Sequence, residues 1–233
     1  MSSAVPQTLA LIAARGGSKG IPQKNLIDLC GQPLLAWSIQ QAKSAKGVTE
    51  VAVSSDCDSI LDVATRFGAI AVQRPEVISG DTASSETAWL HALETVERSG
   101  TTFDLIVALQ ATSPIREPSD IDAALQQFKR ESLDSLLTVS EVEDFFNWRI
   151  DADGVVESIN YDWRNRRRRQ DIEKRYLENG SFYVFRPDVL RATGNRLGGR
   201  IGLFEMERHK MFQIDRQEDI QLCSAIMTGY GYA

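Results

Sequence analysis

The feature that most constrains this chain is an alternation, sustained through its first 140 residues, of short aliphatic runs with stretches of helical spacing. A strand covered on both faces reads as a continuous apolar run, and a helix between two such strands returns the chain so that the next lies parallel. The strand candidates are Leu9–Ala14, Glu50–Ser54, Ile70–Gln73, Leu105–Gln110 and Ser135–Val139. Between them, apolar residues recur three or four positions apart at Leu35/Ile39/Ala42, Ile60/Ala64/Phe67, Ala88/Ala92/Val96 and Ile121/Leu125/Phe128, each set marking one buried helix face. The pattern predicts an α/β fold with a mostly parallel sheet.

After about residue 140 the rhythm changes. Phe146–Ile150 and Val155–Ile159 flank a turn sequence, Asp151-Ala-Asp-Gly154, and read as an antiparallel hairpin. Tyr161 to Arg175 then holds six arginines and one lysine with little apolar content, which predicts an exposed excursion. The expected organisation is one α/β domain over 1–139 and 178–233, with 140–177 inserted as a hairpin and basic segment. The chain returns through a strand at Gly180–Phe185 and closes with a helix from about Arg216 to Met227.

Composition removes several functions. A chain of 233 residues with 42% hydrophobic content covers roughly 70% or more of its unfolded surface on folding, so neither disulfides nor a structural metal is needed to hold it. A net charge of -6 argues against a general binder of nucleic acid or anionic membrane, which gains affinity from a basic surface. Cys30, Cys57 and Cys223 are odd in number and lack metal spacing; with no charged signal-like start and no long apolar stretch, the expectation is a cytoplasmic protein. Cys57 reads as a buried structural thiol, and His91 and His209 carry no expected role.

The segment with most chemistry is Arg15-Gly16-Gly17-Ser18-Lys19-Gly20-Ile-Pro-Gln-Lys24-Asn25, directly after the first strand. Glycines let backbone N–H groups approach an anion while Arg15, Lys19 and Lys24 supply charge, which makes a phosphate cradle. Neither P-loop nor dinucleotide-fingerprint spacing is present. The competing reading is a glycine turn with solvated lysines.

This segment resembles the nucleotide-binding loop of the acylneuraminate cytidylyltransferases (CMP-sialate synthetases). The likeness continues in Arg74-Pro75 with Gly80–Ser85, in Leu109-Gln110-Ala-Thr-Ser-Pro-Ile-Arg116, in Arg169-Gln170 and Asn179-Gly180, and in Ile214-Asp215. The resemblance implies a Rossmann-like three-layer sandwich of the nucleotide-diphospho-sugar transferase type. It implies attack of a 2-keto-3-deoxy sugar acid on CTP with release of pyrophosphate, assistance by Mg²⁺, and a homodimer held through the inserted hairpin. By the same resemblance Arg15 and Lys24 act on the triphosphate as catalytic residues, over the Gly16-Gly17-Ser18 backbone. Asn25, Arg74, Ser85 and Gln110 bind nucleotide; Gln110, Arg169, Gln170 and Asn179 face the sugar; Asp215 holds the metal.

Local readings compete at several of these positions. Arg74 could be a surface ion pair, Ser85 a polar residue at a helix start, and Asp81 or Thr82 that helix's cap. Asp215-Arg-Gln-Glu218 has capping-box spacing, so Asp215 could cap the last helix, alone or together with a metal role. Phe145, Phe146, Trp148 and Tyr161 suit either an interface or packing under the hairpin. The chain departs from the family pattern at Gln213, where a second metal carboxylate is common, at Leu177-Glu178 ahead of Asn179, and at Asn147-Trp148. The sugar therefore stays open among sialate, legionaminate, pseudaminate and a KDO-type acid, and Gln213 keeps open a nucleotide-binding module without catalysis.

Overall fold

In a computed structural model, residues 6–80, 82–142 and 146–233 are described; Asp81 and Phe145, singled out above, lie outside them. The chain opens with β1 (Thr8–Ala13), a minimal hairpin of β2 (Asp28–Leu29) and β3 (Gln32–Pro33), and α1 (Leu34–Ser44). It continues through β4 (Glu50–Ser55), α2 (Asp58–Arg66), β5 (Ile70–Gln73), α3 (Ser85–Glu97), β6 (Leu105–Leu109), α4 (Pro118–Arg130) and β7 (Ser135–Val142). Then follow β8 (Trp148–Ile150), β9 (Val156–Ser158), β10 (Arg175–Phe185), α5 (Pro187–Thr193), β11 (Ile201–Glu205) and α6 (Gln217–Gly229). All five strands expected in the first part of the sequence form, within one or two residues at most ends and three at the end of β7.

Seven strands make one sheet in the order β11-β7-β10-β6-β1-β4-β5. Only β10 runs against its neighbours, pairing antiparallel with β6 and β7, while the other pairings are parallel. Alternation along each strand sends side chains to opposite faces. Thus Ala10 and Ile12 join α1, α2 and α4 in one core, whereas Leu9 and Leu11 join α3 and α5 in another. This is a three-layer α/β sandwich. A third cluster, containing Leu29, Leu34, Ile115, Ile214, Cys223 and Met227, seats α6 over the β2–β3 hairpin and the loops after β6 and before α6.

The hairpin of β8 and β9 forms with Trp148 opposite Ser158, as the turn sequence predicted. The sheet takes in both ends of the 140–177 segment, because β7 runs on to Val142 and Arg175 pairs with it. The arginines at 164, 166, 167 and 168 are exposed. Arg164 lies over the Trp163 ring at 4.3 Å and Arg166 over Phe146 at 4.6 Å, with Phe146 and Tyr161 4.3 Å apart between centroids. Among the described residues no helix is long and apolar enough to cross a membrane.

Candidate functional site

Parallel strands end together, so the loops after β1, β4, β5 and β6 emerge on one edge of the sheet. Because β10 is antiparallel, its beginning, around Asn179-Gly180, comes to that same edge. Arg15, Asp56, Arg74, Gln110 and Asn179 are gathered there by topology, from positions far apart in sequence.

The loop after β1 is fixed at several points. The Gly16 N–H donates to Asp56 Oδ1 at 2.9 Å, and the buried Asn25 side chain donates from Nδ2 to the Arg15 carbonyl at 3.1 Å. Gly17 faces open space, whereas a Cβ on Gly20 would stand 2.6 Å from the Asp215 carbonyl oxygen, so only glycine allows these two loops to touch. Across that contact Lys24 Nζ donates to Asp215 Oδ1 at 2.9 Å; the lysine side chain is 14% exposed and the carboxylate 65%. Thus the first loop of the chain meets its last, 191 residues on.

Arg74 follows β5 and is buried, with Nη2 3.6 Å from Asp56 Oδ1. That length is an ion pair and not a hydrogen bond, and Nε and Nη2 are without hydrogen-bond partners. Burial lowers its pKa; Asp56 opposes this, and the nearby charge of Arg15 adds to the lowering. A buried cation with unused donors, beside a second cation, is chemically prepared for an anion. The surface-pair reading of Arg74 is therefore corrected, since its side chain points inward. Asp56 was not selected from the sequence for this place, where it holds both the Gly16 N–H and Arg74.

Gln110 continues from β6, its N–H donating to the Ser181 carbonyl at 3.1 Å. The loop behind it is stapled by Arg116, which is buried and donates to the carbonyls of Gln110 (2.7 Å) and Ser113. Ile214 N–H donates to Thr112 O at 2.8 Å and joins this loop to the one carrying Asp215. Gln213 donates from Nε2 to the Asn179 carbonyl at 2.7 Å. Gly180 has φ +62° in a register shift of β10, and a Cβ there would meet Gln213 Nε2 at 2.8 Å and Gln110 Oε1 at 3.3 Å. The Asn179 side chain is buried, donating to Ser140 Oγ at 3.3 Å and accepting from Ser181 N–H at 3.1 Å.

The remaining expectations divide. Ser85 is exposed in the first turn of α3, and Ser18 belongs to the β1 loop. The cap of α3 is Ser84, whose hydroxyl accepts from Thr87 N–H at 3.1 Å, in place of Asp81 or Thr82. Gln170 is exposed on the turn Arg169–Asp171 and is not among the residues these contacts join; the Arg169 side chain lies outside what is described. The cap of α6 is also corrected. Asp219 accepts from the N–H groups of Asp215 (2.9 Å) and Arg216 (2.7 Å), which leaves the Asp215 carboxylate turned to Lys24. Cys57 is only partly buried, at the start of α2, and not the enclosed thiol expected.

Asp215 is the carboxylate at the position that the resemblance assigned to a metal, and Gln213, two residues before it, donates from its amide to the Asn179 carbonyl. Among the described residues no cluster of three or more histidine, cysteine, aspartate or glutamate side chains is set to hold an ion. An exposed carboxylate such as Asp215 beside the glycine-bearing loop fits Mg²⁺, which takes one or two carboxylates and fills its remaining positions with other oxygen ligands and water.

Comparison with known proteins shows the family and the fold of this chain. A family described as cytidylyltransferase matches residues 9–229. An N-acylneuraminate cytidylyltransferase of Oncorhynchus mykiss is 35% identical over 96% of this chain, and the chain spans about half (51%) of that protein's length. A pseudaminic acid cytidylyltransferase of Campylobacter jejuni is 29% identical over 94% of the chain and 96% of its own length. Among solved structures, a CMP:2-keto-3-deoxy-manno-octonic acid synthetase complexed with CTP shares the fold, with a TM-score of 0.71 at 18% identity over 96% of this chain and 99% of its own.

Proposed function

The chain belongs to the cytidylyltransferase family, and from that premise we propose that it transfers the cytidylyl group of CTP to a 2-keto-3-deoxy sugar acid of the sialate-type nonulosonate class, releasing pyrophosphate. The observation that carries this reading is the meeting of Lys24 with Asp215 at 2.9 Å, one loop from Gln110 and the Asn179-Gly180 bulge. A phosphate-gripping cation, a hard-oxygen ligand and a neutral amide pair then stand along one edge.

Transfer at phosphorus asks a protein mainly to position groups and to neutralise charge spreading over phosphate oxygens. On this reading Arg15 and Lys24 hold the triphosphate over the Gly16-Gly17-Ser18 backbone, while Asn25, Arg74 and Ser85 hold the rest of the nucleotide. Gln110 turns toward the sugar, beside Asn179 and, from the basic segment, Arg169 and Gln170. Asp215 would hold Mg²⁺, whose chemistry is to neutralise phosphate oxygens and polarise the phosphorus they surround. The hydroxyl on the sugar's anomeric carbon attacks the α-phosphorus in line with the leaving pyrophosphate; its proton passes to solvent, and the leaving charge is met by Lys24 and Arg15.

The proposed organisation keeps 140–177 as an insertion that pairs two copies. Trp148, Ile150, Val156 and Trp163 are exposed there among arginines, the mixture enriched at interfaces. The enzyme is placed in the cytoplasm, with CTP and a sugar acid as its partners. A second reading has pseudaminate as the acceptor, because the Campylobacter relative named for it matches over nearly its whole length.

Pyrophosphate release tests the proposal, with CTP, ATP, GTP and UTP crossed against sialate, legionaminate, pseudaminate and the eight-carbon acid, with and without Mg²⁺. The expected result is release with CTP and a nonulosonate only when Mg²⁺ is present. CTP binding without release in any pairing would replace the enzyme with a binding module.

A further inference from the structure

Arg116 follows the turn after β6 and is 1% exposed, yet its guanidinium hydrogen-bonds no carboxylate among the described residues. Its side-chain bonds go to one stretch of backbone: Nη2 donates to the carbonyls of Gln110, at 2.7 Å, and Ser113. Nε and Nη1 have no hydrogen-bond partner among the described residues. Asp120 acts on the guanidinium through its field, since both Asp120 carboxylate oxygens accept from Lys210 at 2.9 Å. Burial lowers the Arg116 pKa to about 9 against the opposing pull of Asp120. A buried cation without a bonded anion costs stability, and an apolar side chain of similar length fills such a space without that cost.

We infer that Arg116 is a positioning residue for the transfer, one that holds the Gln110–Ser113 turn in the form that fixes Gln110 relative to the loop carrying Asp215. The inference rests on the cytidylyltransferase reading and gives Arg116 no contact with a ligand. Because one nitrogen carries both bonds, the carbonyls of Gln110 and Ser113 are drawn to a single buried point. From α1, the buried Gln41 donates from Nε2 to the carbonyls of Pro114 (2.8 Å) and Arg116 (2.9 Å), so the turn is pinned behind at four carbonyls.

The other bonds of the turn lead to the site. The Thr112 carbonyl accepts from the N–H of Ile214, next to Asp215, at 2.8 Å, and Ser113 Oγ donates to the Gly180 carbonyl at 3.2 Å. A shift of the turn therefore moves Gln110 and the Asp215 loop out of register with each other. A misplacement of about 1 Å, caused far from the reacting atoms, can cost about a hundredfold in rate. The cations expected to grip CTP, namely Arg15, Lys24 and Arg74, stand on the loops after β1 and β5, which Arg116 does not bond. Loss of Arg116 should thus act on turnover and spare CTP affinity.

Two variants test this. Arg116→Met keeps most of the length and loses the charge and its donors; Arg116→Lys keeps a charged donor and loses the planar fork. Pyrophosphate release with CTP and Mg²⁺ would be measured on whichever of N-acetylneuraminate, legionaminate, pseudaminate and the eight-carbon acid the wild type turns over fastest, alongside calorimetric CTP binding. The expected kcat is about a hundredfold lower in Arg116→Met and about tenfold lower in Arg116→Lys, a partial rescue, with the CTP KM within twofold and the CTP-binding stoichiometry unchanged in both. Wild-type kcat in either variant would overturn the inference and leave the transferase intact. So would a loss of kcat matched by an equal loss of CTP-binding sites, which marks a purely structural role. If Arg116→Met does not fold, Arg116→Lys is judged by the same criteria. A wild-type chain that turns over none of the four acids would overturn the transferase reading and the inference with it.

Discussion

Asp215→Asn should make metal-free CTP bind more tightly, although Asp215 is the expected metal ligand. Without nucleotide, Lys24 donates to Asp215 at 2.9 Å, and its side chain is 14% exposed against 65% for the carboxylate. A phosphate that recruits Lys24 must displace this partner. Exposed ion pairs are worth about 0.2–1 kcal/mol, and the largely buried lysine puts this one near the upper end. A cost of about 1 kcal/mol corresponds to about fivefold in affinity. Calorimetric titration of CTP in EDTA should therefore give the variant a Kd about fivefold lower than wild type. Loss of a negative charge also reduces repulsion of the triphosphate, so the measurement is completed by Lys24→Met and the double variant. If displacement is the cause, most of the gain disappears in the Lys24→Met background. Equal or weaker CTP binding by Asp215→Asn in EDTA would refute the reasoning, as would a gain that persists without Lys24.

Gln213→Glu should raise the sugar KM more than the CTP KM and lower stability, because its carboxylate would face the Asn179 carbonyl that the amide now donates to at 2.7 Å; leaving that buried acceptor unpaired costs about 1–3 kcal/mol, read by chemical denaturation. Lys210 is buried among Glu117 (3.0 Å), Asp120 (2.9 Å) and Glu207 (2.9 Å), so Lys210→Met should destabilise strongly, by about 3–5 kcal/mol on the scale of broken buried pairs. The hydrogen bond from Lys210 lowers the Glu207 pKa below its ordinary value, so this contribution is present above the unfolded carboxylate range and is lost as pH falls through the lower folded value. Glu207→Gln should accordingly flatten the loss of stability below about pH 4, and an unchanged acid limb would remove Glu207 from the network.

Legibility in the sequence followed the range of the interactions. β1, β4, β6 and β7 were readable because double-sided burial writes a strand into consecutive residues, while β5, on the sheet edge with Val72 alone buried, was readable from its short Ile70–Gln73 run. β11 was not, since Ile201 and Leu203 are exposed on the sheet edge and Gly202 is the one buried residue of its five. The β2–β3 hairpin was missed for a different reason: its turn needs positive φ at Cys30 (52°) as well as at Gly31 (87°), and cysteine gives no warning of it. The α6 cap was misread by one position, because Asp219 accepts from the Arg216 N–H and also takes the Asp215 N–H that Glu218 would have claimed in a box built on Asp215. In the candidate site, residue types pointed to Lys24 and the family resemblance to Asp215, but neither pointed to their contact. Arg116 entered from the sequence only as the end of a motif, and it is the structure that shows it buried and holding the carbonyls of Gln110 and Ser113.

One physical requirement links these site contacts. A chain of net charge -6 that binds a triphosphate must gather cations locally, and gathered cations repel one another. The structure meets this with carboxylates set among them: Asp56 accepts from the Gly16 N–H and faces Arg74, and Asp215 accepts from Lys24. On the proposed reading both carboxylates stand where phosphate oxygens are to come, one on the loop N–H and one on the loop ammonium. Binding is then an exchange of internal anions for external ones. The exchange lowers affinity for any single phosphate, yet it leaves the cations already oriented when a ligand carries enough charge to displace both. It also separates the two aspartates in role: Asp215, exposed and on a separate loop, is released to meet a metal, whereas Asp56, fixed between Gly16 and Arg74, has to turn aside. On that reading Asp56 would select against small anions such as a single phosphate, and Asp215 would couple nucleotide binding to the cation.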